Sequence, residues 1–350
     1  MIRARYRWIL ALDLLFVAAW VLLGHVRGLH RTESSRPASG YDDALARFAG
    51  LRARDDSTIN PECHTILWTQ GHKAEHAIVL LHGFTNCPKQ FEPFGAEFYR
   101  MGWNVLIPRL PRHGRANVMT EGLSGLTAEE LVTSGEEALD IAHGLGERVT
   151  VAGLSTSAVL AAYLAQHRSD VDEAVLIAPA LAPKGMPDFV ARRVTNLLLS
   201  LPNTFLWWDP EKKAANPGPK QCYPRFPTHA LAQVYRLGFL TSAEAGREKP
   251  RARSIVIVTT ATDGAVNNGS VSGLGRRWTA VGAEVRNYEF AASLGIQHDM
   301  IDPEQPYQRV AQVYPALLRE IAPDAAEPRN TTAPRGGSAR SVPDTGRSGP

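Results

Sequence analysis

Residues 149–158 have the sequence Val-Thr-Val-Ala-Gly-Leu-Ser-Thr-Ser-Ala. β-Branched residues lead into a Gly-x-Ser-x-Ser motif and then into small residues, a pattern that predicts a strand, a sharp turn and a helix. At the tip of such a turn the hydroxyl of Ser155 is held clear of the backbone, and the N-terminus of the helix faces developing negative charge. Gly153 allows strand and helix to pass close together, while Ser157 stands where a second glycine is usual. The motif alone does not decide between a nucleophilic Ser155 and a buried structural serine, since such motifs occur often by chance, and the rest of the chain decides it.

A carboxylate and an imidazole follow later predicted strands. Residues 254–258, Ser-Ile-Val-Ile-Val, form an apolar run that predicts a buried strand, and Asp263 lies just past its carboxyl end. His298 lies beyond the strand-like residues 285–290. The chain order Ser155, Asp263, His298 is the serine, acid, histidine order of one known type of catalytic triad. We therefore expect these three side chains to meet at the carboxyl edge of one sheet.

Two further motifs lie upstream of the serine. The apolar run at residues 77–81 predicts a buried parallel strand that opens into His-Gly-Phe-Thr-Asn at 82–86. Residues 108–114 read Pro-Arg-Leu-Pro-Arg-His-Gly. With the serine motif and the triad order, these segments resemble the α/β-hydrolase superfamily, most closely its carboxylesterase, monoacylglycerol-lipase and serine aminopeptidase-like branch. The resemblance covers about residues 60–320.

The resemblance implies hydrolysis of an ester or amide through an acyl-enzyme, without a metal ion or organic cofactor. It also implies an oxyanion hole built from the backbone N–H groups of Phe84 and Thr156. We expect a serine hydrolase whose partner is a small-molecule ester with a short to medium acyl chain, or a monoacylglycerol-like ester. Two alternatives stay open: an acyltransferase or cofactor-free perhydrolase that uses the same triad, and a non-catalytic membrane-tethered binding protein on a hydrolase scaffold.

Five other side chains compete for the triad roles, and each lacks part of the pattern: Ser157, Asp299, Asp302, His82 and His113. The serine has no glycine two residues before it. The two acids adjoin the histidine instead of following a separate strand. The two histidines lie in loop motifs where relatives carry them for loop geometry, so we expect structural roles for both.

Composition and pattern favour one domain over residues 37–322. The chain has 350 residues, of which 44% are hydrophobic, and apolar runs alternate with helical stretches, which predicts an α/β fold with a doubly wound, mostly parallel sheet. An insertion at about residues 181–250, the cap insertion, is too long for one crossover helix. Its aromatic residues indicate a wall for an apolar acyl or alcohol group, the alternative being that they pack the insertion onto the core. Predicted strands lie at 64–68, 77–81, 104–107, 148–152, 173–177, 254–258 and 285–290, and predicted helices at 89–101, 127–144, 156–166, 187–201 and 306–320.

The two ends of the chain differ from this domain. Residues 1–36 begin with three arginines and continue into an apolar run at 8–23, which only Asp13 interrupts. This pattern predicts a signal-anchor or signal peptide with a linker, so that the body is exported to the cell envelope and the N-terminus contacts the membrane. Residues 323–350 are rich in Pro, Gly, Ser, Thr and Arg, which predicts a disordered tail. Because the excess positive charge lies in these ends, we expect no nucleic-acid surface.

The chain has three cysteines, Cys63, Cys87 and Cys222. An exported body allows one disulfide, and the sequence leaves the pair open. A bridge at Cys87 would stiffen the loop that carries Phe84. No spacing of cysteines and histidines indicates a zinc site, and Cys87 lacks the strand, turn and helix that would make it a nucleophile.

Overall fold

A sheet of seven strands forms the centre of the part of the chain that is described, namely residues 35–215 and 217–323 with 23–30 and five positions between 13 and 20. The structure is a computed structural model. The described residues contain nine strands: β1 (Ile66–Trp68), β2 (Ala74–Leu81), β3 (Asn104–Ile107), β4 (Gly146–Leu154), β5 (Glu173–Ile177), β6 (Phe205–Trp207), β7 (Arg225–Pro227), β8 (Ser254–Thr260) and β9 (Glu284–Phe290). Seven of these nine strands belong to the sheet and two, β6 and β7, pair outside it. The α-helices are α1 (Tyr41–Arg52), α2 (Glu92–Arg100), α3 (Ala128–Leu145), α4 (Thr156–His167), α5 (Asp188–Ser200), α6 (Thr228–Glu244), α7 (Asn268–Ala280) and α8 (Val310–Ile321).

The order of the strands in the sheet is β1-β3-β2-β4-β5-β8-β9. Only β1 is antiparallel to its neighbour, and β6 and β7 form a separate hairpin inside the cap insertion. Since parallel strands need crossover connections, helices cover both faces of the sheet. The predicted α/β fold with a doubly wound, mostly parallel sheet is therefore confirmed, and the loops after β2, β4, β8 and β9 all leave from its carboxyl edge.

Alternate residues of the strands supply the two cores. Val79 and Leu81 of β2 belong to the larger core, whereas Ile78 and Leu80 belong to the core on the opposite face, with Phe94 of α2. All five of these side chains are fully buried. Because both faces are covered, the central strands are continuous apolar runs, and this is why the sequence predicted most of them within a few residues.

The helices differ more from the predictions. The predicted helix at 89–101 is divided into a 3-10 turn at Pro88–Phe91 and α2, which has Pro93 in its first turn. The predicted helix at 306–320 begins only at Val310. The sequence patterns predicted no helix at the positions of α1, α6 and α7. In the cap insertion, the predicted helix at 187–201 is present as α5.

The predicted N-terminal apolar run lies mostly outside the described residues, as does the predicted tail after residue 323. None of the helices in the described part is both long enough and apolar enough to span a bilayer. The described residues 23–30 lie along the cap insertion. There Asn196 of α5 donates to the carbonyls of Leu23 and His25, and Arg236 of α6 donates to those of Arg27 and Gly28.

Candidate active site

The turn between β4 and α4 places Ser155 at its tip. Ser155 has φ 58° and ψ −111°, a strained backbone conformation that L-residues rarely adopt. A Cβ on Gly153 would lie 2.2 Å from the carbonyl oxygen of Ser157, so only glycine fits this close approach of strand and helix. The hydroxyl of Ser157 points elsewhere, because it is buried and donates to the carbonyl of His82. Of these two serines, Ser155 lines the cavity described below and Ser157 does not.

The structure brings Ser155, Asp263 and His298 together from the loops after three different strands. The Nε2 atom of His298 lies 2.9 Å from Oγ of Ser155. The Nδ1 atom of the same ring lies 2.8 Å from Oδ2 of Asp263. One imidazole thus links an alcohol to a buried carboxylate, which is the geometry that allows the ring to accept the alcohol's proton.

Asp263 is held by more than the histidine. Its Oδ1 accepts hydrogen bonds from the amides of Ala265 and Val266 at 2.8 and 3.0 Å. Burial raises the pKa of this carboxyl, but the hydrogen bond and charge of His298 and the two amides outweigh it, so that the pKa lies below its ordinary value. The side chain is 1% exposed. Asp263 is therefore fixed as an ionised acceptor facing Nδ1 of the ring.

The two amides expected to bind an oxyanion flank Ser155. Thr156 begins α4, so its N–H lies in the first turn, where a helix has no internal acceptor. Phe84 lies in residues 82–87, which we call the oxyanion loop. Within the described ranges no hydrogen bond has either amide as its donor. Both residues line the cavity beside Ser155.

Residues of the cap insertion donate hydrogen bonds to the oxyanion loop. Thr85 has φ 63°, and its hydroxyl donates to the carbonyl of Phe84 at 2.6 Å. The indole N–H of Trp208 donates to the same hydroxyl at 2.9 Å, and the amide of Tyr223 donates to the carbonyl of Thr85 at 2.9 Å. Sequence reasoning did not identify these contacts, since the partners are more than a hundred residues apart.

A disulfide between Cys63 and Cys87 fixes the end of the oxyanion loop. Cys63 closes the 3-10 turn Pro61–Cys63, so the bridge ties the loop to the segment that precedes β1. Both cysteines are fully buried. Cys222 is the free cysteine of the described residues, and burial raises the pKa of its thiol. The pair that the sequence left open is thus the one that braces the loop of Phe84.

The competing histidines have local partners. His82 is fully buried, its Nε2 accepts from the amide of Leu110, and its Nδ1 lies 3.0 Å from the carbonyl of Gly83. Burial lowers the pKa of His82 well below its ordinary value and that of His113 to about 4, so both rings are neutral. The Nδ1 of His113 bonds the carbonyl of Pro111. Neither ring contacts Ser155.

The competing acids Asp299 and Asp302 do not touch the ring of His298 either. Asp299 accepts from the side-chain amides of Gln90 and Gln305, and Asp302 accepts from that of Asn86. The sequence did not predict the three side-chain amides of these pairs, those of Asn86, Gln90 and Gln305. Within the described residues no group of three or more His, Cys, Asp or Glu side chains is arranged to hold a metal ion.

A cavity of about 550 Å³ opens beside Ser155. Core and cap insertion both contribute apolar side chains to its wall: Val118, Leu154, Val266, Trp208, Leu231 and Tyr235. Of the aromatic residues expected to form this wall, Trp208 and Tyr223 line it. Phe226 instead packs against Trp208 and Phe84, and Phe205 stacks under Arg225. The cavity has the size and lining of a site for a mostly apolar small molecule.

Comparison with known proteins agrees with this architecture. A model of the alpha/beta hydrolase family matches residues 78–328. A thermostable monoacylglycerol lipase from Bacillus sp. (strain H-257) is 30% identical over 171 residues, which cover 49% of this chain and 64% of that protein, so the match spans less than two thirds of the relative.

Solved structures share the fold at low identity. The crystal structure of Paleococcus ferrophilus monoacylglycerol lipase has a TM-score of 0.55 and 18% identity, with 73% of this chain and 97% of that chain covered. A soluble variant of monoglyceride lipase from Saccharomyces cerevisiae has a TM-score of 0.56 and 10% identity, with 75% and 90% covered. Since the family model matches well over half of the sequence, the chain belongs to the alpha/beta hydrolase family.

Proposed function

We propose that this protein is a serine hydrolase that cleaves carboxylic esters, of short to medium acyl chain or monoacylglycerol-like, through an acyl-enzyme. The observation that carries the proposal is the continuous line of hydrogen bonds from Asp263 through His298 to Ser155 at the wall of an apolar cavity. The relatives named above, among them monoacylglycerol lipases, support the same substrate class.

The geometry supports a two-step reaction. Ser155 Oγ attacks the ester carbonyl carbon while Nε2 of His298 takes its proton, and the ring then returns that proton to the leaving alcohol. Asp263 holds the ring so that Nδ1 carries hydrogen and stabilises the imidazolium. In the second step water repeats the attack on the acyl-enzyme. The amides of Phe84 and Thr156 bind the oxyanion in both steps, and one such donor contributes about 2.7 to 4 kcal/mol.

The apolar wall sets the expected acyl preference. Burial of each further CH₂ contributes about 0.8 kcal/mol, so kcat/KM should rise roughly fourfold per methylene until the chain fills the cavity, and then level off or fall.

A series of p-nitrophenyl esters of increasing chain length, with wild-type protein and Ser155→Ala, tests the proposal. Ser254→Ala is a matched control, because this serine begins β8 at the opposite edge of the sheet and donates to the carbonyl of Asp172. We expect ester cleavage by the wild type and control, and none above background by Ser155→Ala. Retained activity in Ser155→Ala, or inactivity of the wild type on every ester, contradicts the proposal.

We also propose that residues 1–36 place the body at the cell envelope and tether it to a membrane. The arginines before the apolar run support this. Fractionation of cells that express the full chain tests it: the protein should stay in the membrane fraction, whereas a variant without residues 1–22 should be released. Equal distribution of both proteins contradicts the tether.

A further inference from the structure

Two loops meet beside Ser155. One is the oxyanion loop, residues 82–87. The other, which we call the histidine loop, comprises residues 291–305 after β9 and carries His298. They are more than two hundred residues apart in sequence, and both line the cavity. The distance between the two loops determines whether the amide of Phe84 and the ring of His298 can act on the same substrate carbonyl.

Gln90 spans the gap between these loops. Its side-chain Oε1 accepts from the amide of Gly83 at 2.7 Å, and its Nε2 donates to Oδ1 of Asp299 at 2.8 Å. The amide of Gly83 can only donate, so Oε1 of the glutamine must face Gly83 and its Nε2 group faces Asp299. Gln90 is 1% exposed, which makes an unpaired end costly.

Asp299 is in turn fully engaged by protein donors. Its Oδ2 accepts from Nε2 of Gln305 at 2.5 Å. Burial and the nearby charge of Asp302 raise the pKa of Asp299 to about 7, against the effect of His298 and the two amide donors. A second amide–carboxylate pair, Asn86 with Asp302 at 2.9 Å, joins the same two loops. Both carboxyl oxygens of Asp299 are therefore hydrogen-bonded to glutamine amides and not to His298. Asp299 also lies beside His298 in the histidine loop, whereas Asp263 lies after a different strand, β8.

We propose that Gln90 and Asp299 are positioning residues that hold the amide of Phe84 in register with His298 and Ser155. The inference rests on the proposed function. Gly83 directly precedes Phe84, and Asp299 directly follows His298, so a shift of the glutamine moves the donor and the base relative to each other. A displacement of about 1 Å at such a site costs up to about 100-fold in rate.

Exchanging the donor and the acceptor tests this brace. In Gln90→Glu the new carboxylate still accepts from Gly83, but the donor to Asp299 is lost. Because the pKa of Asp299 is already raised to about 7, the variants are compared at pH 9, where the two carboxyl groups share a proton least. In Gln90→Glu combined with Asp299→Asn, the asparagine amide donates to the glutamate and its oxygen accepts from Gln305. Each of the three hydrogen bonds is then restored, with the central one reversed in direction.

We expect Gln90→Glu to lower kcat on p-nitrophenyl butyrate by about 10- to 100-fold with KM changed less than about threefold, because the defect lies in the transition state. The inhibition constant of a trifluoromethyl ketone, which places an oxyanion in the hole, should rise in parallel with the loss of kcat. The double variant should recover kcat to within about fivefold of the wild type, because the two residues act as a pair.

Gln166→Glu is the matched control. This buried glutamine of α4 also joins two partners, the indole of Trp278 and the carbonyl of Glu248, and lies about 16 Å along the helix from Ser155. It should lower Tm about as much as Gln90→Glu and leave kcat and KM unchanged.

Three outcomes overturn the inference: full kcat in Gln90→Glu, no recovery in the double variant when its Tm is restored, or an equal loss of kcat in Gln166→Glu. The result for Ser155→Ala separates the two proposals. If that variant is inactive while Gln90→Glu is fully active, the proposed function stands and the brace fails, whereas activity of Ser155→Ala defeats the proposed function.

Discussion

The substitution Asp263→Asn should change the tautomer of His298, and with it kcat, while the stability of the protein changes little. The Oδ1 of Asp263 accepts from the amides of Ala265 and Val266, and its Oδ2 accepts from Nδ1 of His298. An asparagine must keep its oxygen toward the two backbone donors, since the opposite orientation would set its NH₂ group against two N–H groups. The new NH₂ group then faces the histidine.

The ring can accept that NH₂ hydrogen only at a bare Nδ1, which moves its own hydrogen to Nε2. Nε2 then cannot take the proton of Ser155, which it approaches at 2.9 Å. The expected loss in kcat is about 10⁴-fold, or about 5.4 kcal/mol of transition-state stabilisation. Because both backbone hydrogen bonds survive, Tm should fall by no more than about 5 °C, the shift for one or two kcal/mol in a domain of this size.

The assay compares kcat/KM on p-nitrophenyl butyrate with Tm, for the wild type and Asp263→Asn. Asp172→Asn is the matched control, since Oδ2 of this aspartate also accepts a backbone amide, that of Val149, at the other edge of the sheet. The control should keep its activity. If Asp263→Asn retained more than a tenth of wild-type kcat, or if it lost activity only in proportion to a large drop in Tm, the tautomer argument would be wrong.

Three further perturbations have defined outcomes. The Tm of Asp299→Asn should rise relative to that of the wild type between pH 4 and pH 7: the pKa of Asp299 is raised to about 7 in the folded state and is about 4 in the unfolded state, so the wild type loses stability as pH rises between these values, and a difference that is flat with pH would refute this. Replacing Cys63 and Cys87 by alanine should lower the free energy of unfolding by about 3 to 4 kcal/mol, because the bridge closes a loop with a sequence separation of 24, and denaturant unfolding measures it. Trp208→Phe removes the indole donor to Thr85 and should lower kcat severalfold, the effect of one hydrogen bond of about 1 kcal/mol, whereas an unchanged kcat would show that the cap insertion does not hold the oxyanion loop.

The sequence predicted the sheet well because its central strands are buried on both faces. The strands at 104–107 and 173–177 have the predicted bounds, and β4 only extends beyond its prediction. The predicted helix at 127–144 is likewise present as α3, which begins with a capping box of Thr127 and Glu130. In each case the signal is local, since an apolar run or a cap is visible within a few residues.

Elements that depend on distant partners escaped prediction. α7 contains Gly269, Gly273 and Gly275, which lower its helix propensity, and it is stabilised by packing of Trp278 and by the cap of Asn267. For the site, chain order was enough to select Ser155, Asp263 and His298 as the side chains that meet. It could not reveal the pairing of Gln90 with Asp299, because no pattern along the chain links an amide to a carboxylate 209 residues away.

An acyl-enzyme on Ser155 requires a nucleophilic serine at this position, which covalent labelling detects. The protein would be treated with an alkyl fluorophosphonate, digested, and analysed by mass spectrometry for the modified peptide. We expect a single adduct on the peptide that contains Ser155, absent from Ser155→Ala and formed about 10⁴-fold more slowly in Asp263→Asn. Stoichiometric labelling of another residue, or no labelling of a wild-type protein that cleaves esters, would contradict it.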